Sequence, residues 1–162
     1  MQFNFTLSLL KSAKAYGIRT AVETSGYTNK NLKELNPYVD LWLYDIKVFN
    51  EDDHIKYTGV SNKVIFENLY LLDSLGAKII LRCPIIPEVN MTAVHFNNIA
   101  KLSNKIKNLE AIHLEPYNPL GISKAKQLDK IQAYRNDRFL EVSHLMHFSD
   151  MLNAKTKIKI DV

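Results

Sequence analysis

The sequence predicts an α/β domain built on a parallel sheet. Short apolar or β-branched runs alternate with amphipathic segments of helical period. The connections are short, and polar side chains gather just past the end of each run.

The elements follow in order. Phe5, Leu7, Leu9, Leu10, Ala13 and Tyr16 mark one face of a first helix, with Gly17 as its stop. Ile18 to Thr24 reads as a short strand rich in β-branched residues, broken by Ser25-Gly26. Asn29 caps a short helix from Lys30 to Leu35, which Pro37 ends. Val39 to Tyr44 is a nearly all-apolar second strand, as burial on both faces requires. A polar stretch from Phe49 to Ser61 follows. Ser61 or Asn62 opens an amphipathic helix through Ile65, Leu69, Leu72 and Leu75, closed by Gly76. Lys78 to Arg82 is the third strand, and Pro84 and Pro87 force a loop after it. Asn90 or Thr92 begins a helix with Val94, Ile99 and Leu102 on one face. Leu109 to Leu114 is the fourth strand, running into Glu115-Pro116-Tyr117-Asn118-Pro119. Beyond Ser123 the pattern is less regular. Leu140 to Leu152 is helical, and Lys155 to Ile160 alternates as a last strand.

A complete eight-stranded barrel needs about 200 residues or more, and this chain has 162. The sheet is therefore either doubly wound or a piece of a barrel, in a single domain over 1–162 without a Gly/Ser-rich linker. Composition narrows the class further. The apolar share is 46%, the charged share 23% and the formal net charge +4, with both signs interleaved, so a solvated surface explains the basic excess better than nucleic-acid binding. No run of about 18 apolar residues marks a membrane span, and the first residues lack a secretory pattern. The lone Cys83 forbids an internal disulfide, and a reducing cytoplasm is the expected location.

In parallel α/β folds, ligands bind at the carboxyl ends of the strands. Glu23, Thr24, Ser25 and Gly26 follow the first strand, and Asp45 and Lys47 the second. Arg82, Cys83 and Pro84 follow the third, and Glu115, Tyr117 and Asn118 the fourth. Glu23 and Asp45 accept hydrogen bonds, Thr24 and Ser25 donate or accept, and Lys47 and Arg82 are cations suited to a carboxylate or phosphate. Gly26 lets a ligand approach the backbone closely. Such a rim fits a zwitterion. Each residue also has a plainer role, as a strand-end ion pair or a turn. Cys83 reads as a small buried hydrophobe, and His54 and His113 as structural. His144 and His147 lie one helical turn apart without an evident third ligand.

Five stretches, in order, resemble the activating enzymes of glycyl-radical enzymes, best known from pyruvate formate-lyase activation. They are Gly17–Tyr27, Asp40–Lys47, His54–Asn62, Leu81–Pro87 and His113–Gly121. The resemblance implies a partial (β/α)6 barrel. It implies a [4Fe–4S] cluster that binds S-adenosylmethionine, whose one-electron cleavage gives a 5′-deoxyadenosyl radical that takes hydrogen from a partner's glycine. It further implies a glycyl-radical enzyme as partner and an electron donor such as flavodoxin or ferredoxin. By the same resemblance, Asp45 and Lys47 form the family's Asp-x-Lys motif beside S-adenosylmethionine. Glu23 and Thr24 lie near its methionyl end, where the acidic residue can help to hold a monovalent cation. Arg82 lines the site, and Asn118 stands where some relatives place an adenosyl-contacting His.

The departures are equally specific. The family's Cys-x-x-x-Cys-x-x-Cys and Gly-Gly-Glu-Pro segments do not occur in this sequence, and Glu88 stands where relatives usually have Gly. The expectation is an incomplete (β/α) barrel, a C-terminal portion whose first βα units are missing and which alone is inactive. Two other readings remain: a non-catalytic fragment that binds the glycyl-radical partner, and a Schiff-base lyase using Lys47. The latter is opposed by the neighbouring Asp45. An incomplete sheet also exposes an edge through which copies can associate.

Overall fold

A computed structural model describes residues 2–129 and 134–162. The less regular tail expected beyond Ser123 includes 130–133, which lie outside the described residues. The chain runs α1 (Phe3–Ala15), β1 (Ala21–Thr24), β2 (Leu41–Asp45), α2 (Glu51–Thr58), α3 (Lys63–Ser74), β3 (Ile79–Ile85), α4 (Ala93–Ser103), β4 (Leu109–Pro116), α5 (Gly121–Gln127), α6 (Ser143–Asn153) and β5 (Lys159–Asp161). Among the described residues no helix is long and apolar enough to cross a membrane.

All five strands pair in parallel, in the order β1-β2-β3-β4-β5. This decides between the two sheets the sequence allowed. A doubly wound sheet reverses direction once, whereas here every crossover steps to the next position on the same side. Right-handed crossovers then place all the helices on one face, as in a barrel wall. The burial pattern agrees. Trp42, Tyr44, Ile79, Leu81, Cys83, Ile85 and Ile112 have no exposed surface, while the alternate residues Leu43, Asp45, Ile80, Arg82 and His113 are only half-buried. The first face packs on Ile65, Leu69, Leu72, Phe96, Ile99, Leu145 and Leu152 of α3, α4 and α6. The second is the open inner wall.

Several expectations are corrected. The polar stretch 49–61 holds a helix, α2. Asn50 caps it through Oδ1, which accepts from the Asp53 amide at 2.9 Å, Glu51, Asp52 and Asp53 favour its first turn, and Gly59 ends it at φ 81°. The short helix expected from Lys30 is instead two 3-10 turns, Leu32–Glu34 and Asn36–Tyr38, and Asn31 rather than Asn29 caps the first. Gly121–Gln127 is helical within the tail. β1 starts at Ala21, three residues later than expected, because Ile18 is exposed and has no strand beside it.

β3 does not end before Pro84. Arg82 directs its carbonyl to the Ile46 amide just past β2 at 2.8 Å, so Pro84, two residues on, faces the same side. Register with β2 ends at the Asp45–Arg82 pair, and the ladder loses no bond there through the absent N–H. The loop beyond keeps the shape a glycine would give it, since Glu88 sits at φ 64°.

Candidate functional site

The carboxyl ends of β1 to β4 place charged side chains on the open inner wall. Parallel pairing sets them in rows: Asp45 lies in register with Arg82 and Arg82 with His113, while Glu115 pairs with Pro84 one step further out. Arg82 is the centre. Its Nε donates to Glu115 Oε1 on one side, and its Nη1 pairs with Glu23 on the other. Glu23 lies two strands away, so the guanidinium reaches past β2. Arg82 has 21% of its side chain exposed, and Glu115, then Glu23, raise its pKa above the ordinary value against the opposing cost of burial. Lys47 Nζ meets Asp45 Oδ2 at 3.0 Å, a second charge pair on the same rim.

The remaining expected residues serve turns. Thr24 Oγ1 accepts from the Gly26 amide at 2.9 Å, and Ser25 Oγ from the Tyr27 amide at 3.4 Å. Asn118 is exposed, and its Oδ1 accepts from the Leu120 amide at 2.9 Å at the entry to α5. Gly26 is buried at φ 70°, and the space beside its Cα is filled from within by the Tyr44 hydroxyl. The structure thus brings Glu23, Arg82 and Glu115 into one contact and Asp45 and Lys47 into another. Thr24, Ser25 and Asn118 stand apart, each bonded to its own turn.

Two further residues shape the rim: Glu115, which the sequence places after the fourth strand, and Asn90, which it gives only as a helix start. Glu115 holds Arg82 from β4. Asn90, an expected helix start, is not the cap; Thr92 is, accepting from the His95 amide at 3.2 Å. Asn90 is instead buried in the seam past the end of β2. Its amide group donates to the Lys47 carbonyl at 2.7 Å and the Pro84 carbonyl at 2.8 Å, and its Oδ1 accepts from the Ile86 amide at 2.7 Å. It thereby ties the backbone of Lys47 to the end of β3. The signal was an Asn shortly after two prolines, where orphaned strand-end carbonyls need a donor.

The donor set fits a zwitterion such as S-adenosylmethionine, with cations for its carboxylate and carboxylates for its ammonium group. It does not fit an iron–sulfur cluster. The single thiol, Cys83, is fully buried on the helix-covered face, and burial raises its pKa. Among the described residues no group of three or more His, Cys, Asp or Glu side chains comes together for a metal. His144 and His147 gather no third ligand there. His54 is buried, with Nδ1 2.7 Å from the Val60 carbonyl and 2.9 Å from Thr58 Oγ1, and closes the end of α2.

No family model matches the chain. The trans-4-hydroxy-L-proline dehydratase activating enzyme of Clostridioides difficile is 34% identical over 164 aligned residues, covering 96% of this chain and 53% of that protein. The pyruvate formate-lyase-activating enzyme of Clostridium pasteurianum is 32% identical over 129 residues, 80% of this chain and 54% of its own length. A crystal structure of a domain of pyruvate-formate lyase-activating enzyme from Bacteroides vulgatus superposes with a TM-score of 0.77 at 19% identity, covering 97% of this chain and 88% of that one, and shows the same fold. The chain is a homologue of the activating enzymes of glycyl-radical enzymes, and it spans about half the length of the curated relatives it matches.

Proposed function

We propose that this chain supplies the S-adenosylmethionine-facing rim of a glycyl-radical enzyme activase, and that activity needs a cluster-bearing segment these residues do not contain. The observation that carries the reading is the convergence of Glu23, Arg82 and Glu115 with Asp45 and Lys47 at the carboxyl ends of adjacent parallel strands. S-Adenosylmethionine, when bound, supplies the radical chemistry, and the protein supplies position and electrostatics. Lys47 and Arg82 orient its carboxylate. Asp45 and Glu23 accept from its ammonium and ribose hydroxyl groups. Thr24, Ser25 and Gly26 shape the adjoining turn, and Asn118 offers an amide toward the adenosyl end. The exposed Glu23 carboxylate can share a monovalent cation. The partner is a glycyl-radical enzyme, the electron comes from a flavodoxin- or ferredoxin-like donor, and the compartment is reducing.

Titration of the isotopically labelled chain with S-adenosylmethionine tests this. Amide shifts confined to 23–26, 45–47, 82, 115 and 118 are expected. Shifts centred on the opposite pole, at Lys78 and Lys157, or none at all, overturn the reading.

Among the described residues β1 has a partner strand on one side only, and Phe5 and Leu9 of α1 and Tyr16 just past it are exposed. We propose on that basis that copies associate at high concentration. A monomer mass by light scattering at every concentration overturns it.

A further inference from the structure

This inference rests on the S-adenosylmethionine reading above. Glu23, Asp45 and Glu115 bring three carboxylates to the rim, while Lys47 and Arg82 bring two cations. The Lys63–Glu51 and Lys159–Asp161 pairs add no net charge. Among the five side chains Glu23, Asp45, Glu115, Lys47 and Arg82, one negative charge is left in excess. S-Adenosylmethionine carries an ammonium, a sulfonium and a carboxylate, and so one net positive charge. Its demethylated thioether, S-adenosylhomocysteine, is neutral.

We propose that Glu115 makes the rim selective for the cationic sulfonium ligand over the neutral thioether. With Glu23 alone, Arg82 would be balanced one to one and the rim would be neutral. Glu115 adds the second carboxylate from the opposite side. The two carboxylates take Nε and Nη1 of the guanidinium, and among the described residues Nη2 makes no hydrogen bond. A ligand carboxylate can therefore still reach Nη2 while the excess negative charge attracts the ligand's positive centre. Glu115 acts through Arg82 and is a positioning residue.

The experiment follows the labelled chain during titration with two probes, in tetramethylammonium chloride so that no small cation neutralises the rim. One probe is sinefungin, which carries a charged amine where the sulfonium stands. The other is S-adenosylhomocysteine. Sinefungin is expected to bind about tenfold tighter, as one unit charge at partly screened contact implies. Glu115→Gln brings the ratio near one, and Glu115→Asp keeps the preference. The wild-type ratio shrinks as salt rises. Equal wild-type affinities, a salt-independent ratio, or an unchanged ratio in a folded Glu115→Gln overturn the proposal. If neither probe moves a rim resonance, the S-adenosylmethionine reading itself falls, and this inference with it.

Discussion

The Tyr44 hydroxyl occupies the position that a Cβ on residue 26 would need, and it donates from there to the Ile65 carbonyl of α3 at 2.6 Å. The turn after β1, the helix-covered face of β2 and the first turn of α3 are thereby locked at one point. Asn68 of α3 adds to the lock, its Nδ2 donating to the Gly26 carbonyl at 2.7 Å and the Thr28 carbonyl at 3.0 Å.

Gly26→Ala is expected to cost at least about 3 kcal/mol, because the new methyl meets Tyr44 and the backbone is left-handed. Gly76→Ala is the control. Gly76 also has positive φ, at 72°, but nothing lies within 4 Å of its added Cβ, so only the conformational cost of about 1 kcal/mol applies. Urea denaturation of the two variants checks the difference, and equal losses would refute the packing account.

His95 makes stability fall in mild acid. Burial between Phe49 and Phe96 holds its imidazole down to about 4 from an ordinary 6.5, and its Nε2 has no hydrogen-bond partner among the described residues. Between those values the unfolded chain binds a proton that the folded chain does not. Stability from this group is therefore complete above pH 6.5 and declines as pH falls toward 4. The loss by pH 5 is about 2 kcal/mol. Denaturation midpoints at pH 7 and 5 should converge in His95→Phe, which keeps the ring and removes the titration. Asp40 and Glu51, whose pKa values are lowered chiefly by Lys14 and Ser61 respectively, lose their contributions only at lower pH.

Asn90→Ala removes three hydrogen bonds made by a buried side chain and takes that partner from the Lys47 and Pro84 carbonyls and the Ile86 amide. A loss of about 2–3 kcal/mol is expected. Asn90→Asp keeps the acceptor for the Ile86 amide but sets a carboxylate against two carbonyls, so it should be no better. Exchange of the Ile86 amide should rise in Asn90→Ala, which removes its acceptor, and stay nearer wild type in Asn90→Asp. Unchanged protection at Ile86 in Asn90→Ala would show that the seam is held by other contacts.

The thiol chemistry can be read directly. Native Cys83 should resist a disulfide-exchange reagent, and one thiol per chain should react in denaturant, since the side chain has no exposed surface. Reconstitution with iron and sulfide should leave no stoichiometric 4Fe absorption band, because a single buried thiol cannot replace three cluster ligands. A stable cluster on the isolated chain would contradict the division of labour proposed here.

The strands were legible because their apolar runs stand out between polar turns, although only one face of the sheet is fully buried and the burial on both faces expected of the second strand is not found. The order of those strands was not legible. Whether a crossover steps forward or back depends on tertiary packing, so the doubly wound and barrel alternatives shared one sequence pattern. α2 was hidden because Ile55 and Tyr57 give little apolar period, although Asn50, its acidic first turn and Gly59 were all signals. Pro84 misled because a strand's tolerance for proline depends on where its neighbour ends. At the rim, the strand-end rule located Glu23, Asp45, Lys47 and Arg82. It did not reveal that Arg82 links Glu23 to Glu115, which depends on how far a guanidinium reaches across folded strands. Nor did local pattern show that Asn90 joins the ends of β2 and β3.

A sheet whose strands lie in chain order has a property that doubly wound sheets lack. Each strand is laid beside its predecessor, so a newcomer at either border disturbs no existing seam. The wall can lengthen like masonry, course by course, with the completed courses indifferent to what is laid next. A catalytic rim spread along the top of such a wall can therefore be shared between separate lengths of polypeptide, each folding its own courses before they meet.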